Sequence, residues 1–226
     1  MTAGRVEIAA SILNADLGAL REAVLAAESA GVDRIHLDIM DGQFVPNLTF
    51  GLATVEVLRA ATALPFDAHL MMLSPGRWAT RFVEAGCESV AIHVEAPDQH
   101  RQILDAIRDS GGRAGVALDP ETPIEALAPF RSQLDFVLVM TVKSGFGGQA
   151  YRPEAASRIA AIRDVVGNAD GESLRVHVDG GINAGTAPHA TGHGANLLVV
   201  GSALFSGGNP AQMAEAVRVI RESTSP

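Results

Sequence analysis

Residues 34–42 read "RIHLDIMDG", and they alternate: Ile35, Leu37 and Ile39 on one side, His36, Asp38 and Met40 on the other. A period of two is that of a strand. The side expected to meet solvent therefore carries an imidazole, a carboxylate and a thioether. A strand covered on both faces, by helices outside and by packed side chains inside, resolves the conflict: the second set then points into a barrel.

The rest of the chain repeats the theme. Short apolar, β-branched runs occur at "VEIAASI" (6–12), "RIHLDIM" (34–40), "FDAHLMM" (66–72), "SVAIHV" (89–94), "RAGVALD" (113–119), "DFVLVMTV" (135–142), "LRVHVDGG" (174–181) and "NLLVVGSA" (196–203). Between them stand helical patterns such as "LGALREAVLAAESAG" (17–31) and "PEAASRIAAIRDVVG" (153–167), each closed by glycine. Eight strands alternating with helical crossovers predict an α/β fold, a (β/α)8 TIM barrel, as a single domain over 1–226.

Composition narrows the function classes. With 226 residues, 47% of them hydrophobic, the chain can bury a large core, and a net charge of −9 argues against nucleic acid or an anionic membrane as partner. A small molecule is the expected partner. The opening "MTAGRVEIAAS" lacks the pattern of a signal peptide, and no apolar run is long enough to span a bilayer, so a cytoplasmic protein is expected. Cys87, the single cysteine, reads as a buried filler. Lys143 is the single lysine, so a phosphate site must rely on backbone amides, helix N-termini, arginine or that one side chain.

Inward polar residues come from three strands: His36, Asp38 and Met40; Asp67, His69 and Met71; His177 and Asp179. Buried charges need partners. Either they form a structural network of ion pairs, or His36, Asp38, His69 and Asp179 hold one divalent metal, a nitrogen and oxygen set suited to zinc, iron(II), manganese or cobalt. No local spacing motif decides between these. Three glycine-rich stretches, "GFGG" (145–148), "DGGINAG" (179–185) and "GSALFSGGNP" (201–210), suit phosphate binding at the strand C-termini. Two connections, "DGQFVPNLTFG" (41–51) and "KSGFGGQAYRP" (143–153), carry Phe44, Phe50, Phe146 and Tyr151 and read as lids over that end.

The runs "ASIL", "HLDIMDGQFVPNLTFG", "DAHLMM", "MTVKSGFGGQ", "VDGGIN" and "GSALF" resemble ribulose-phosphate 3-epimerases, in order and across nearly the whole chain. The resemblance implies a metal-dependent isomerase of the pentose phosphate pathway that interconverts D-ribulose 5-phosphate and D-xylulose 5-phosphate, with no organic cofactor and as a homo-oligomer. It assigns His36, Asp38, His69 and Asp179 as metal ligands, with Asp38 and Asp179 also the acid/base pair. Ser11 and His69 would contact substrate, Met40, Met71 and Met140 would form a methionine cluster, and the phosphate and its flanking loops would fall on Gly145, Phe146, Gly147, Gly148, Gly180, Gly181, Gly201 and Ser202. The chemistry explains the roster. Inversion beside a carbonyl needs a base on each face, and the enediolate between the two proton transfers carries charge that a cation stabilises.

Three positions depart from the family pattern. Ala10 stands for proline before "SIL", Lys143 and Ser144 replace an acidic residue or asparagine followed by proline before "GFGG", and His177 stands for glutamate. Loss of proline predicts a more mobile loop that Ser144→Pro would tighten. His177 is expected as a hydrogen-bond partner in a lower layer, and Lys143 as a solvated rim residue. Other readings remain: an epimerase of allulose 6-phosphate or a tetrulose phosphate, a Schiff-base lyase using Lys143, and a non-catalytic sugar-phosphate binder.

Overall fold

A computed structural model of the chain describes residues 5–167 and 174–224; residues 1–4, part of the opening read against a leader, lie outside them. The strands are β1 (Glu7–Ser11), β2 (Arg34–Met40), β3 (Phe66–Met71), β4 (Ser89–His93), β5 (Arg113–Leu118), β6 (Phe136–Met140), β7 (Arg175–Asp179) and β8 (Leu197–Val200). All pair in parallel in chain order, and β8 returns to pair with β1, closing the barrel. The crossovers carry α1 (Leu20–Ser29), α2 (Leu52–Arg59), α3 (Ala79–Glu84), α4 (His100–Asp109), α5 (Pro153–Ala156), α6 (Ile159–Val166) and α7 (Ala187–Gly192), with α8 (Ser202–Phe205) and α9 (Pro210–Ser223) after β8. None of the described helices is long and apolar enough to cross a membrane.

Alternation sorts the core into two groups. Ile8, Ile35, Leu37, Ile39, Phe66 and Leu70 face outward and pack with Val24, Ala27, Val55 and Leu58 of α1 and α2. Full burial of each large aliphatic side chain contributes about 1.5–3 kcal/mol. Ala9, Ala91, Ala117, Phe136, Leu138, Leu197 and Val199 fill the interior. Gly115 makes room there, since a Cβ on it would stand 2.3 Å from Phe136 Cζ.

Local chemistry explains where the elements differ from the sequence pattern. Helix 17–31 begins as a 3₁₀ turn, Leu17–Ala19, because the Asp16 side chain accepts from Gly18 N and caps it. Between β5 and β6 the chain forms a 3₁₀ run, Ile124–Phe130, with Pro123 at its cap and Pro129 inside it; proline lacks the amide that an α-helix needs. The helix expected over 153–167 is divided at Ser157 and Arg158, where Arg158 N bonds to Ala155 O, a 3₁₀ spacing. Strand β7 stops at Asp179 because Gly180 and Gly181 take φ of 121° and 65°, a backbone turn that suits glycine.

The inward polar groups form a lower and an upper layer, and the register sets side by side His36 and Asp67, Asp38 and His69, and Met40 and Met71. In the lower layer Arg34 Nε lies 2.9 Å from both oxygens of Asp67, and Ser89 donates to the same carboxylate. This layer is the structural ion-pair network. Burial opposes ionisation of Asp67, but the Arg34 bond and charge outweigh it and hold the carboxyl below its usual range. His177 is in this layer as expected, yet its ring stacks on Phe136 with centroids 4.3 Å apart and makes no hydrogen bond to a described residue. Burial depresses its pKa to about 3.

Candidate active site

The upper layer is built differently. His36 and Asp38 come from β2, His69 from β3 and Asp179 from β7, and one donor atom from each lies within 4.8 Å of all the others. His36 Nε2 is 3.4 Å from Asp38 Oδ1 and 3.7 Å from Asp179 Oδ2; His69 Nδ1 is 3.1 Å and 3.6 Å from the same two oxygens. Both ring nitrogens of His36 are buried without a hydrogen-bond partner among the described residues. Such orphaned donors or acceptors cost stability unless another group engages them. Two imidazoles and two carboxylates converging on one point, with one imidazole otherwise unsatisfied, suit a divalent cation.

The electrostatics agree with the convergence. Burial disfavours the imidazolium of His69, but Asp179 and Asp38 outweigh it and raise its pKa to about 9. His36 is raised in the same way: burial opposes the charge, and the neighbouring Asp38 and Asp179 favour it. Asp38, itself opposed by burial, is lowered far below the carboxylate range by His36 and His69. Ser11 Oγ donates to Asp38 Oδ2 at 2.7 Å and fixes the carboxylate's rotation.

Above the cluster opens a cleft lined by Ser11, Asp38, Asp179 and the three methionines Met40, Met71 and Met140. Its walls also bring together Gly145, Phe146, Gly147 and Gly148 after β6, Gly180 and Gly181 after β7, and Gly201 and Ser202 after β8. The glycines are close to their neighbours. A Cβ on Gly201 would stand 2.3 Å from Asn14 Oδ1, and one on Gly181 2.6 Å from Tyr151 N. Met40 and Met71 pack with Val45, whereas Met140 belongs to the interior group with Val142 and Val199. Phe146 is 53% exposed at the rim, and Phe44 lies against His93, 4.8 Å between centroids.

The loop after β6 is anchored, contrary to the mobility expected from its missing proline. Ser144 is buried; its Oγ donates to Asp119 Oδ1 at 2.5 Å and its amide to the same oxygen at 3.3 Å. Asn47 Nδ2 ties the β2 loop to it through Gly145 O at 3.0 Å. Lys143 is 62% exposed on the rim as expected, but its ammonium pairs with Asp119 rather than with water alone. That hydrogen bond raises its pKa, which opposes the neutral amine a Schiff base requires. Cys87 is buried, and burial pushes its thiol up to about 12, an unreactive filler.

Sequence reasoning missed the groups behind the cluster. His93 at the end of β4 is fully buried, with Nε2 2.8 Å from His69 Nε2 and Nδ1 3.0 Å from Glu95 Oε2. Strand parity carried the signal: Ser89, Ala91 and His93 share a face, and Ala91 pairs with His69. Asp119 and Asn14 lie just beyond strands, where parity ends, and only the folded loops reveal them. His100 bonds to the His93 carbonyl, and His189 to the Tyr151 hydroxyl, at 2.8 Å and 2.9 Å; neither joins the cluster.

Comparison with known proteins agrees with this geometry. The model of the ribulose-phosphate 3 epimerase family matches residues 7–205. The ribulose-phosphate 3-epimerase of Bacillus subtilis (strain 168) is 42% identical over 201 residues, covering 88% of this chain and 92% of that protein. The enzyme of the same name from Mycobacterium leprae (strain TN) is 41% identical over 219 residues, covering 97% and 96%. Among solved structures, KGPDC from Streptococcus mutans in complex with D-R5P superposes with a TM-score of 0.75 at 16% identity, covering 98% of this chain and 99% of that one, a likeness of fold. The barrel, the polar layer at its mouth and this run of relatives together place the chain in the ribulose-phosphate 3 epimerase family.

Proposed function

We infer that the chain is a ribulose-phosphate 3-epimerase, interconverting D-ribulose 5-phosphate and D-xylulose 5-phosphate by proton transfer at C3. The observation that carries the reading is the pair of carboxylates, Asp38 and Asp179, entering one cleft from β2 and β7 on either side of an otherwise unsatisfied imidazole. Inversion requires one group to take the C3 proton from one face and another to deliver a proton to the opposite face. Asp38 and Asp179 are assigned these two roles, each acting as base in one direction and acid in the other. The Ser11 hydroxyl holds Asp38 in place through its bond to Oδ2.

His36, Asp38, His69 and Asp179 are the residues proposed to hold a divalent cation, zinc, iron(II), manganese or cobalt. When bound, such a cation supplies positive charge that stabilises an enediolate. The glycines after β6, β7 and β8 line the cleft and are proposed to take the phosphate through their backbone amides. Met40, Met71 and Met140 form an apolar wall that keeps stray water from the reacting carbon. Homo-oligomeric assembly, a cytoplasmic setting and one domain over 1–226 belong to the same reading.

The test is turnover of D-ribulose 5-phosphate in D2O by the metal-loaded protein. Formation of D-xylulose 5-phosphate with deuterium at C3 is the expected result. Absence of that product, with another ketose phosphate epimerised instead, would move the substrate assignment while keeping the chemistry.

A further inference from the structure

His93 and Glu95 touch neither the cleft nor the four clustered donors' meeting point, yet the hydrogen bonds around them have a direction. An ionised Glu95 can only accept. Its Oε1 takes the Asp119 amide at 2.8 Å and the Thr122 hydroxyl, and its Oε2 faces His93 Nδ1 at 3.0 Å. A carboxylate there requires the proton of the ring to sit on Nδ1. The lone pair of neutral His93 is then on Nε2, 2.8 Å from His69 Nε2.

The remaining neighbour of that nitrogen cannot supply a proton. Ser144 Oγ lies 3.3 Å from His93 Nε2, but its single proton is committed to Asp119 Oδ1 at 2.5 Å. His69 is left as the donor. With Nε2–H given to His93, Nδ1 is the nitrogen left to His69 for the carboxylates, 3.1 Å from Asp38 Oδ1; it donates to them while protonated and turns a lone pair to the same point once that proton leaves. The two ring planes are inclined by 25° with centroids 5.0 Å apart, which suits an in-plane bond between the two nitrogens; Phe44 lies 4.8 Å from the His93 ring, and both histidines are fully buried, so water has little access to break the alignment.

We propose that Glu95 and His93 form a positioning relay that holds the proton of His69 on Nε2 and aims its Nδ1 lone pair at the point where Asp38 and Asp179 converge. The inference deepens the cation site proposed above and rests on it. Groups that accept the second N–H of a ligating histidine fix its ring and raise its basicity, and their loss typically weakens metal binding about 10–100-fold. The relay also joins both lid loops to the ligand, through Phe44 on one side and Ser144 on the other.

Nitrogen-15 NMR of histidine-labelled protein, metal-free and zinc-loaded, reads the relay directly. The expected result is an unprotonated His93 Nε2 with scalar coupling across the hydrogen bond to His69 Nε2. A proton on His93 Nε2 overturns the proposal. Zinc affinity, measured by competition with a chromogenic chelator, should fall about 10–100-fold in Glu95→Gln, whose amide can donate to Nδ1 and reverse the direction. His93→Gln, whose amide oxygen can accept from His69, should retain more affinity than His93→Leu. Unchanged affinity in folded Glu95→Gln, or equal losses in the two His93 variants, would overturn it. A parent protein that takes up no zinc but shows the coupling would overturn the cation site and leave the relay standing.

Discussion

His36 Nε2 stands 3.4 Å from Asp38 Oδ1, and neither nitrogen of that ring has a hydrogen-bond partner among the described residues. Its charged neighbours Asp38 and Asp179 nevertheless raise its pKa against burial, and removing the ring would leave both carboxylates short of a partner. His36→Leu should therefore destabilise the metal-free protein and sharply weaken zinc uptake as well. Zinc at about a hundredfold above its Kd should stabilise the parent by about 2.7 kcal/mol. Thermal denaturation of both proteins, stripped and reloaded, checks both effects. Undiminished stability in metal-free His36→Leu would contradict the ion-pair argument.

Asp38→Asn and Asp179→Asn each remove one of the two proposed bases and a negative group from one cluster. Either change should abolish most turnover, and the double variant should lose little more, because groups that act as a unit are not additive. Steady-state kinetics of the three variants measure this. Additive losses in log kcat/KM would separate the two carboxylates.

Ser144→Pro should impair the enzyme, reversing what the missing proline suggests. Proline removes both the amide and the hydroxyl that the buried Asp119 carboxylate accepts. Hydrogen bonds to a charged group contribute about 1.5–3 kcal/mol each, far more than the 0.4–1 kcal/mol available from a stiffer unfolded chain. Lys143→Ala should change stability by about 1 kcal/mol at most, since its pair is exposed on the lysine side. Chemical denaturation and KM at two ionic strengths distinguish the two positions.

His177 sets a term in acid stability. Its folded pKa of about 3 lies below the value of about 6.5 for a free imidazole, so between those values the unfolded chain binds a proton that the folded chain refuses. The stability it confers is complete above about pH 6.5 and is lost as pH falls toward 3. His177→Leu should flatten the decline in unfolding free energy between pH 6.5 and about 4. Asp67 acts at lower pH, because its carboxyl is held below the usual range and its contribution persists until that group is protonated. Urea titrations at several pH values test the difference.

The barrel was legible because each strand carries its own period, as in "RIHLDIM", and most crossovers end on a glycine. The four donors were legible for the same reason: strand parity fixes which way a side chain points. What escaped was not periodic. Within proline-rich 120–130 the chain forms a 3₁₀ run, Ile124–Phe130, rather than a crossover α-helix, and Asp119 gathers Lys143 and Ser144 from a loop more than twenty residues away. Sequence also could not separate the ion-pair network from the candidate cation site, because both draw on the same inward residue types in different layers. Arg34 satisfies Asp67 in one, and in the other neither ring nitrogen of His36 has a hydrogen-bond partner among the described residues.

His36 and Asp38 lie on the second strand and Asp179 on the seventh. A growing polypeptide therefore exposes the first three donors long before the fourth has been synthesised, and the complete set exists only once the late, distant pairing of β7 with β8 and of β8 with β1 has closed the ring. Contacts so far apart along the chain form slowly, because the entropy of bringing them together must be met first. In time-resolved refolding, uptake of a cation at full affinity would mark ring closure, and a chain arrested before β7 would lack that affinity however much local helix and strand it had formed.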